Sequence, residues 1–217
     1  MTDPSVRVVT ISAGYGAGAS VVGPSVADRL GLPYLERVLS PSLVRATAGR
    51  AGDEDATHEE RSARLLTRIV DSLAAIPLDL GAGAPQPVED VSSEEQVRNE
   101  MEAGIETLAR PPGGVVRGRG GMVVLRSCPS AFHVRLAGPR TARIHQAMRL
   151  TQIDEAEATR RCDDTDRARG AYLRRLYDVD ADDPALYHLV VDSTALPLEV
   201  CSDLIIEAAQ AFWGTPT

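Results

Sequence analysis

The stretch Val6-Arg7-Val8-Val9-Thr10-Ile11-Ser12-Ala13-Gly14-Tyr15-Gly16-Ala17-Gly18-Ala19-Ser20 decides the fold. Residues 6 to 11 are apolar and β-branched apart from Arg7, which predicts a buried strand, and the glycines that follow break it sharply. Val22, Val26 and Leu30 then recur at helical spacing, and Gly31 is suited to closing that helix. Pro24 removes a backbone donor near the first turns, so the helix is expected to start late or to bend there. Leu32-Pro33-Tyr34-Leu35 reads as a short second strand. Strand, glycine turn, helix, strand is the opening of an α/β fold with a parallel sheet.

A turn placed between a strand and a helix sets successive backbone N–H groups and a helix N-terminus against an anion without any charged side chain. Residues 13–20 overlay the phosphate-loop pattern G-x-x-x-x-G-K-[ST], with Ser20 at the place of the hydroxyl that holds Mg²⁺. Two positions depart from it: Ala13 replaces the first glycine and Ala19 replaces the lysine. No lysine could be borrowed from elsewhere, because all 23 basic residues are arginine. The pattern therefore points to nucleotide binding more firmly than to phosphoryl transfer. The same residues fit a second pattern, Gly14-x-Gly16-x-x-Ala19 with Glu36 near the end of the next strand, as in an NAD-type dinucleotide fold. The first 37 residues leave both readings open.

Outward from this segment, Thr57 and Glu60 form a capping box before a helix with apolar Leu65, Leu66, Ile69, Val70 and Leu73 on one face. Residues 77–91 turn to Gly, Pro and acidic residues and read as a connector. Ser92 and Glu95 open another helix that runs towards Ala109 and ends at Pro111-Pro112-Gly113-Gly114. Beyond it come a strand at Val115-Val116, a helix starting at Met122 to Leu125, a strand from Ala131 to Leu136 and a helix from Pro139 to Leu150. Asp154 caps a charged helix, Leu189-Val190-Val191 gives a last strand, and the helix from Leu198 to Phe212 is expected to bury Val200, Leu204, Ile205 and Ala208.

With 217 residues, 43% hydrophobic, the chain can bury one substantial core, and residues 1–217 read as a single domain. A net charge of −8 argues against a nucleic-acid footprint, while arginines gathered in one cleft still suit a small anion. No apolar run approaches the roughly 18 residues of a membrane span, so the expectation is a cytoplasmic protein without membrane contact. Cys128, Cys162 and Cys201 form no C-x-x-C pair and read as reduced thiols. Asp178-x-Asp180-x-Asp182 imitates the start of a calcium loop but lacks its glycine and glutamate, which leaves an acidic surface loop. The four histidines have no triad or metal-ligand companions.

Arg117-Gly118-Arg119-Gly120-Gly121 follows a strand, and the run through Arg149, Arg160, Arg161, Arg167, Arg169, Arg174 and Arg175 is dense in guanidinium, whose forked donors suit phosphate oxygens. Part of this set is expected to form intrahelical pairs such as Asp163 with Arg167. In order along the chain stand Val9-Thr10-Ile11-Ser12, Tyr15-Gly16-Ala17-Gly18, Gly31-Leu32-Pro33-Tyr34, Arg117-Gly118-Arg119-Gly120, Thr165-Asp166-Arg167-Ala168-Arg169-Gly170-Ala171-Tyr172, and Asp183-Pro184 with Tyr187. This series resembles the cytidylate kinase-like family, a divergent branch of the P-loop nucleoside monophosphate kinases.

The resemblance implies a three-layer α/β/α P-loop kinase-like fold with a mainly parallel central sheet. It implies that Gly14, Tyr15, Gly16, Ala17, Gly18, Ala19 and Ser20 hold ATP phosphates, with Ser20 on Mg²⁺, and that Arg119 approaches an acceptor monophosphate. Arg149, Arg161 and Arg169 are then expected from a lid over about residues 149–180, with Asp166 orienting it, while a helical insert over about residues 40–91 covers the acceptor. The implied partner is a small phosphorylated nucleotide, and a homodimer is compatible with the reading. Ala19 supports an alternative in which the chain binds nucleotide for regulation and catalyses nothing.

Overall fold

The computed structural model describes residues 6–35, 99, 102–118 and 120–214. Five strands, β1 (Arg7–Ala13), β2 (Tyr34–Leu35), β3 (Gly113–Arg117), β4 (Ala131–Ala137) and β5 (Leu189–Asp192), form one sheet in the order β2-β3-β1-β4-β5. Every pairing in it is parallel, with β1 in the middle: Val9 lies beside Val115 on one side and Phe132 on the other. Side chains alternate across the sheet. Val9 and Ile11 join Phe132, Val134 and Leu136 under α1 (Ala19–Leu30) and α5 (Leu198–Gly214), whereas Val8 meets Ile105, Leu108, Leu125 and Cys128 on the other face. A sheet covered on both faces explains why its strands read as nearly continuous apolar runs. Between β3 and β4 lies the one-turn α2 (Gly121–Val124), and α3 (Arg140–Thr151) and α4 (Glu155–Tyr177) join β4 to β5.

The strand order separates the two readings of the glycine loop. A dinucleotide fold places β2 against β1, in the order 3-2-1-4-5-6. Here β3 lies against β1 and β2 lies outside it, so the NAD-type reading is corrected; Glu36, its proposed ribose ligand, is outside the described residues. The chain leaves β1 towards β2 and leaves β4 towards β5 on the opposite side. That divergence opens a crevice at the carboxyl ends of β1 and β4, where open α/β sheets bind their ligands.

Helix α1 begins at Ala19 and continues through Pro24. The proline removes one bond to the Ser20 carbonyl, but Ser20 and Pro24 are both exposed, so water can satisfy that oxygen and the expected late start does not occur. Gly31 ends the helix in a left-handed conformation, as its sequence position implies. On α5 the expected Ile205 is buried and Ala208 packs against the core, but the expected Val200 and Leu204 are not inside. Cys201, Ser202, Ile205, Ile206 and Ala209 are inside, while Val200 and Leu204 are 39% and 40% exposed. That helix is apolar around most of its circumference, so periodicity identified the helix without fixing the edges of its inner face. Leu204→Gln is therefore expected to change the unfolding free energy by no more than about 0.5 kcal/mol in urea denaturation, the range of ordinary surface substitutions.

Asp154 caps α4 by accepting the Glu157 N–H at 2.9 Å. Asp163 pairs with Arg140 of α3 through two bonds of 2.9 and 2.8 Å rather than with Arg167, because the Arg140 fork matches both carboxylate oxygens. Arg167 reaches Asp164 instead. All three cysteines are free and buried. Among the described residues no helix is long and apolar enough to cross a membrane, and no His, Cys, Asp and Glu cluster could hold a metal. The insert over 40–91 and the capping boxes at Thr57 and Ser92 lie outside the described residues.

Candidate functional site

The glycine loop follows β1 at the carboxyl edge of the sheet. Gly16 and Gly18 adopt φ of 75° and 77°, a region closed to most side chains, and Gly18 is the N-cap of α1. The turn has no room for more atoms: a Cβ on Gly16 would lie 2.1 Å from the Arg143 carbonyl oxygen, and one on Gly18 would lie 2.4 Å from Leu198 Cδ2. Tyr15 anchors the loop by burying its ring with Ile144 and Ala147 of α3 and Ala158 and Cys162 of α4.

Backbone hydrogen bonding is lopsided along this turn. Six successive carbonyls each have a donor: Ala13 from Arg169 Nη1 (3.0 Å), Gly14 from the Ala17 N–H (3.2 Å), Tyr15 from Arg143 Nη1 (2.7 Å), Gly16 from Gln146 Nε2 (3.0 Å), Ala17 from Ser193 Oγ (2.7 Å), and Gly18 from the amides of Val21 and Val22 (both 3.0 Å). The N–H of Tyr15 donates to Asp166 Oδ1 at 2.8 Å. By contrast, the amides of Gly16, Gly18, Ala19 and Ser20 have no acceptor among the described residues, and those of Ala19 and Ser20 open a helix where none is available internally. A segment with its acceptors consumed and its donors left over complements an anion, and the positive end of α1 adds to the attraction.

Beside the loop lies a cleft of about 330 Å³ whose walls include Ser12, Ala13, Gly14 and Ala19. Arg117, Arg135, Arg143, Arg169 and Arg174 line it together with Asp166, Asp180 and Asp182. Among the described residues, five guanidinium groups and three carboxylates thus stand on its wall, in a chain whose net charge is −8. Guanidinium forks gathered in a concave site suit the oxygens of small anions. On β4, Arg135 donates to Ser12 Oγ at 3.1 Å and pairs with Asp182, while the Tyr187 hydroxyl donates to the Ala181 carbonyl at 2.8 Å. Burial holds the Tyr187 phenol above its ordinary pKa, so it stays protonated as a donor.

The sequence-based candidates fall in different places. Gly14, Ala19, Asp166 and Arg169 line the main cleft. Ser20 is exposed and, with Tyr15, Gly16 and Gly18, lines a small depression of about 20 Å³ against Ala147, Leu150 and Thr151. Arg161 bonds Glu157 at 2.6 Å, Arg149 is exposed in the last turn of α3, and neither is among the residues lining the cleft. Arg119 lies outside the described residues. Asp180 and Asp182 are exposed, as the acidic surface loop implied, and also form part of the cleft wall. Sequence reasoning missed Arg143 and Gln146 and gave Ser193 no role of its own; their only local signal is their proximity to the turns that end β4 and β5.

A family model for the cytidylate kinase-like family matches residues 8–195. An uncharacterised protein from Eubacterium ventriosum has a similar structure, with a TM-score of 0.63 over 94% of this chain and 99% of that one at 14% identity. A shikimate kinase from Acinetobacter baumannii, solved with shikimate, aligns over 96% of this chain and 95% of its own at TM-score 0.48 and 14% identity. Among curated proteins, a uronate isomerase from Corynebacterium glutamicum is 30% identical over 95 residues, which cover 44% of this chain and 18% of that protein. The chain thus spans less than a fifth of that relative's length. The match over residues 8–195, on a parallel sheet with a glycine loop at its switch point, establishes the P-loop kinase-like fold and places the chain in the cytidylate kinase-like family.

Proposed function

We propose that this protein binds ATP on the loop Gly14–Ser20 and transfers its γ phosphate to a small acceptor in the arginine-lined cleft, with a nucleoside monophosphate as the leading acceptor. The observation that carries the reading is the row of amides at Gly16, Gly18, Ala19 and Ser20, without an acceptor among the described residues, beside an arginine-lined cleft. Mg²⁺ enters this reading on the nucleotide, held by phosphate oxygens and water, because it keeps much of its hydration and needs few protein ligands. Ser20 is the loop hydroxyl available to it. Arg169, seated on the Ala13 carbonyl, supplies positive charge in place of a lysine at position 19. Asp166 fixes Tyr15, and Arg119 acts on the acceptor. Arg149 and Arg161, which do not line the cleft, keep the lid role that the family resemblance implies.

The reading predicts a rise in thermal stability with MgATP and none with NAD, since a ligand that binds the native state stabilises it by mass action. In single-turnover assays with labelled ATP and a panel of monophosphates, Arg169→Ala is expected to slow transfer about tenfold to a hundredfold, the size of one charged hydrogen bond. Transfer that is indifferent to Arg169→Ala would sink its assignment. MgATP binding with no transfer to any acceptor would instead favour the regulatory, non-catalytic alternative that Ala19 motivates.

A further inference from the structure

We propose that Arg143, with Gln146 on the same face of α3, is a positioning residue that holds the glycine loop as a preformed site for a phosphoanhydride. The inference rests on the phosphate reading above and extends it to residues of α3 outside the loop. In a trans peptide, the carbonyl of one residue and the N–H of the next point to opposite sides. Arg143 holds the Tyr15 carbonyl on the α3 side, so the Gly16 N–H is aimed away from α3. Gln146 does the same through the Gly16 carbonyl for the Ala17 N–H, which closes the turn on Gly14, and Ser193 does it through the Ala17 carbonyl for Gly18. The carbonyl contacts behind the loop thus determine which way its unfilled amides face.

Arg143 is suited to this by its planar fork. Besides Tyr15 it donates to the Gly138 carbonyl at 3.0 Å through Nε and to Asp166 Oδ2 at 2.8 Å through Nη1. Asp166 Oδ1 in turn accepts the Tyr15 N–H. One residue of the loop is therefore gripped by its amide, its carbonyl and its buried ring, all from α3 and α4. Gly14 belongs to the same arrangement, because a Cβ there would lie 2.7 Å from Arg143 Nη1. A lysine at position 143 would keep one charged donor but lose the fork that reaches Gly138 and Tyr15 together. Preorganised amides need no rearrangement when the anion arrives, which is how such a site binds without the lysine of the usual pattern.

The test compares the wild type with Arg143→Ala, Arg143→Lys and Gln146→Leu in three measurements: amide exchange at Tyr15 and Ala17 by NMR, affinity for pyrophosphate and MgATP by calorimetry, and the KM of whichever acceptor supports transfer. Faster exchange at both amides, with affinities at least about tenfold weaker in Arg143→Ala and partly recovered in Arg143→Lys, is the expected result, together with an acceptor KM unchanged in Gln146→Leu, whose side chain does not line the cleft. Where Arg143→Ala does not fold, Arg143→Lys and Gln146→Leu carry the same comparison. Unchanged exchange and affinity across variants of a wild type that binds both ligands overturn the positioning role alone. A wild type that binds neither pyrophosphate nor MgATP overturns it together with the phosphate reading.

Discussion

Gly16→Ala is expected to lower the unfolding free energy by about 2–5 kcal/mol and to eliminate nucleotide binding in whatever folded protein remains. Two costs combine. A left-handed backbone at φ 75° costs an L-residue about 1–2 kcal/mol. The added Cβ would then meet the Arg143 carbonyl oxygen at 2.1 Å, and relieving that overlap moves loop and α3 apart at a cost of about 1–3 kcal/mol. The moving atom belongs to backbone, so no rotamer change relieves it. Gly31→Ala is the control, because Gly31 also has positive φ, at 64°, but a Cβ added there would meet nothing within 4 Å, and only the first cost applies. Urea denaturation of both variants, with calorimetric titration of MgATP, checks the prediction. Equal destabilisation of the two would mean that close packing of the loop on α3 contributes nothing.

The contrast between those glycines marks what was legible in the sequence. The strand, the turn and the presence of α1 are local features encoded within about one βα unit, though Pro24 misplaced the helix start, and Gly31 announced its role by position. Strand order is another matter, because Val9 chooses Val115 and Phe132 as neighbours from distant parts of the chain, and that choice decides between two nucleotide motifs sharing the same glycines. Within the site, Asp166 and Arg169 stood out through the family resemblance. Arg143 and Gln146 did not, since they lie on a helix whose loop-facing side has no meaning until the loop is in place. Asp182 is exposed, as the acidic surface run implied, but its partner Arg135 lies far away on β4 and could not be read from the run. Local pattern names an element, whereas long-range packing assigns its faces, as Val200 and Leu204 on α5 also illustrate.

Acid is expected to destabilise the protein well before its carboxylates dominate, and His133 is the cause. Its ring is 5% exposed on β4, with Nδ1 2.8 Å from Thr10 Oγ1 and the ring stacked 5.0 Å from that of His188. Burial, and secondarily the charge of His188, lower its pKa from 6.5 to about 4. His188 is lowered too, by burial, and its Nδ1 accepts the His133 N–H, a bond that protonation at that nitrogen would break. The sign follows from linkage: between pH about 6.5 and 4 the unfolded chain binds a proton that the folded one refuses, so stability falls as pH falls and levels off below 4. A depression of this size corresponds to about 3 kcal/mol across the window. His133→Asn keeps polar atoms near Thr10 without titrating, so its unfolding free energy should decline less than that of the wild type between about pH 7 and 4.5. The comparison isolates the histidine because carboxylate protonation is common to both proteins. Parallel pH profiles for the two would assign the acid loss to the carboxylates and remove His133 from the account.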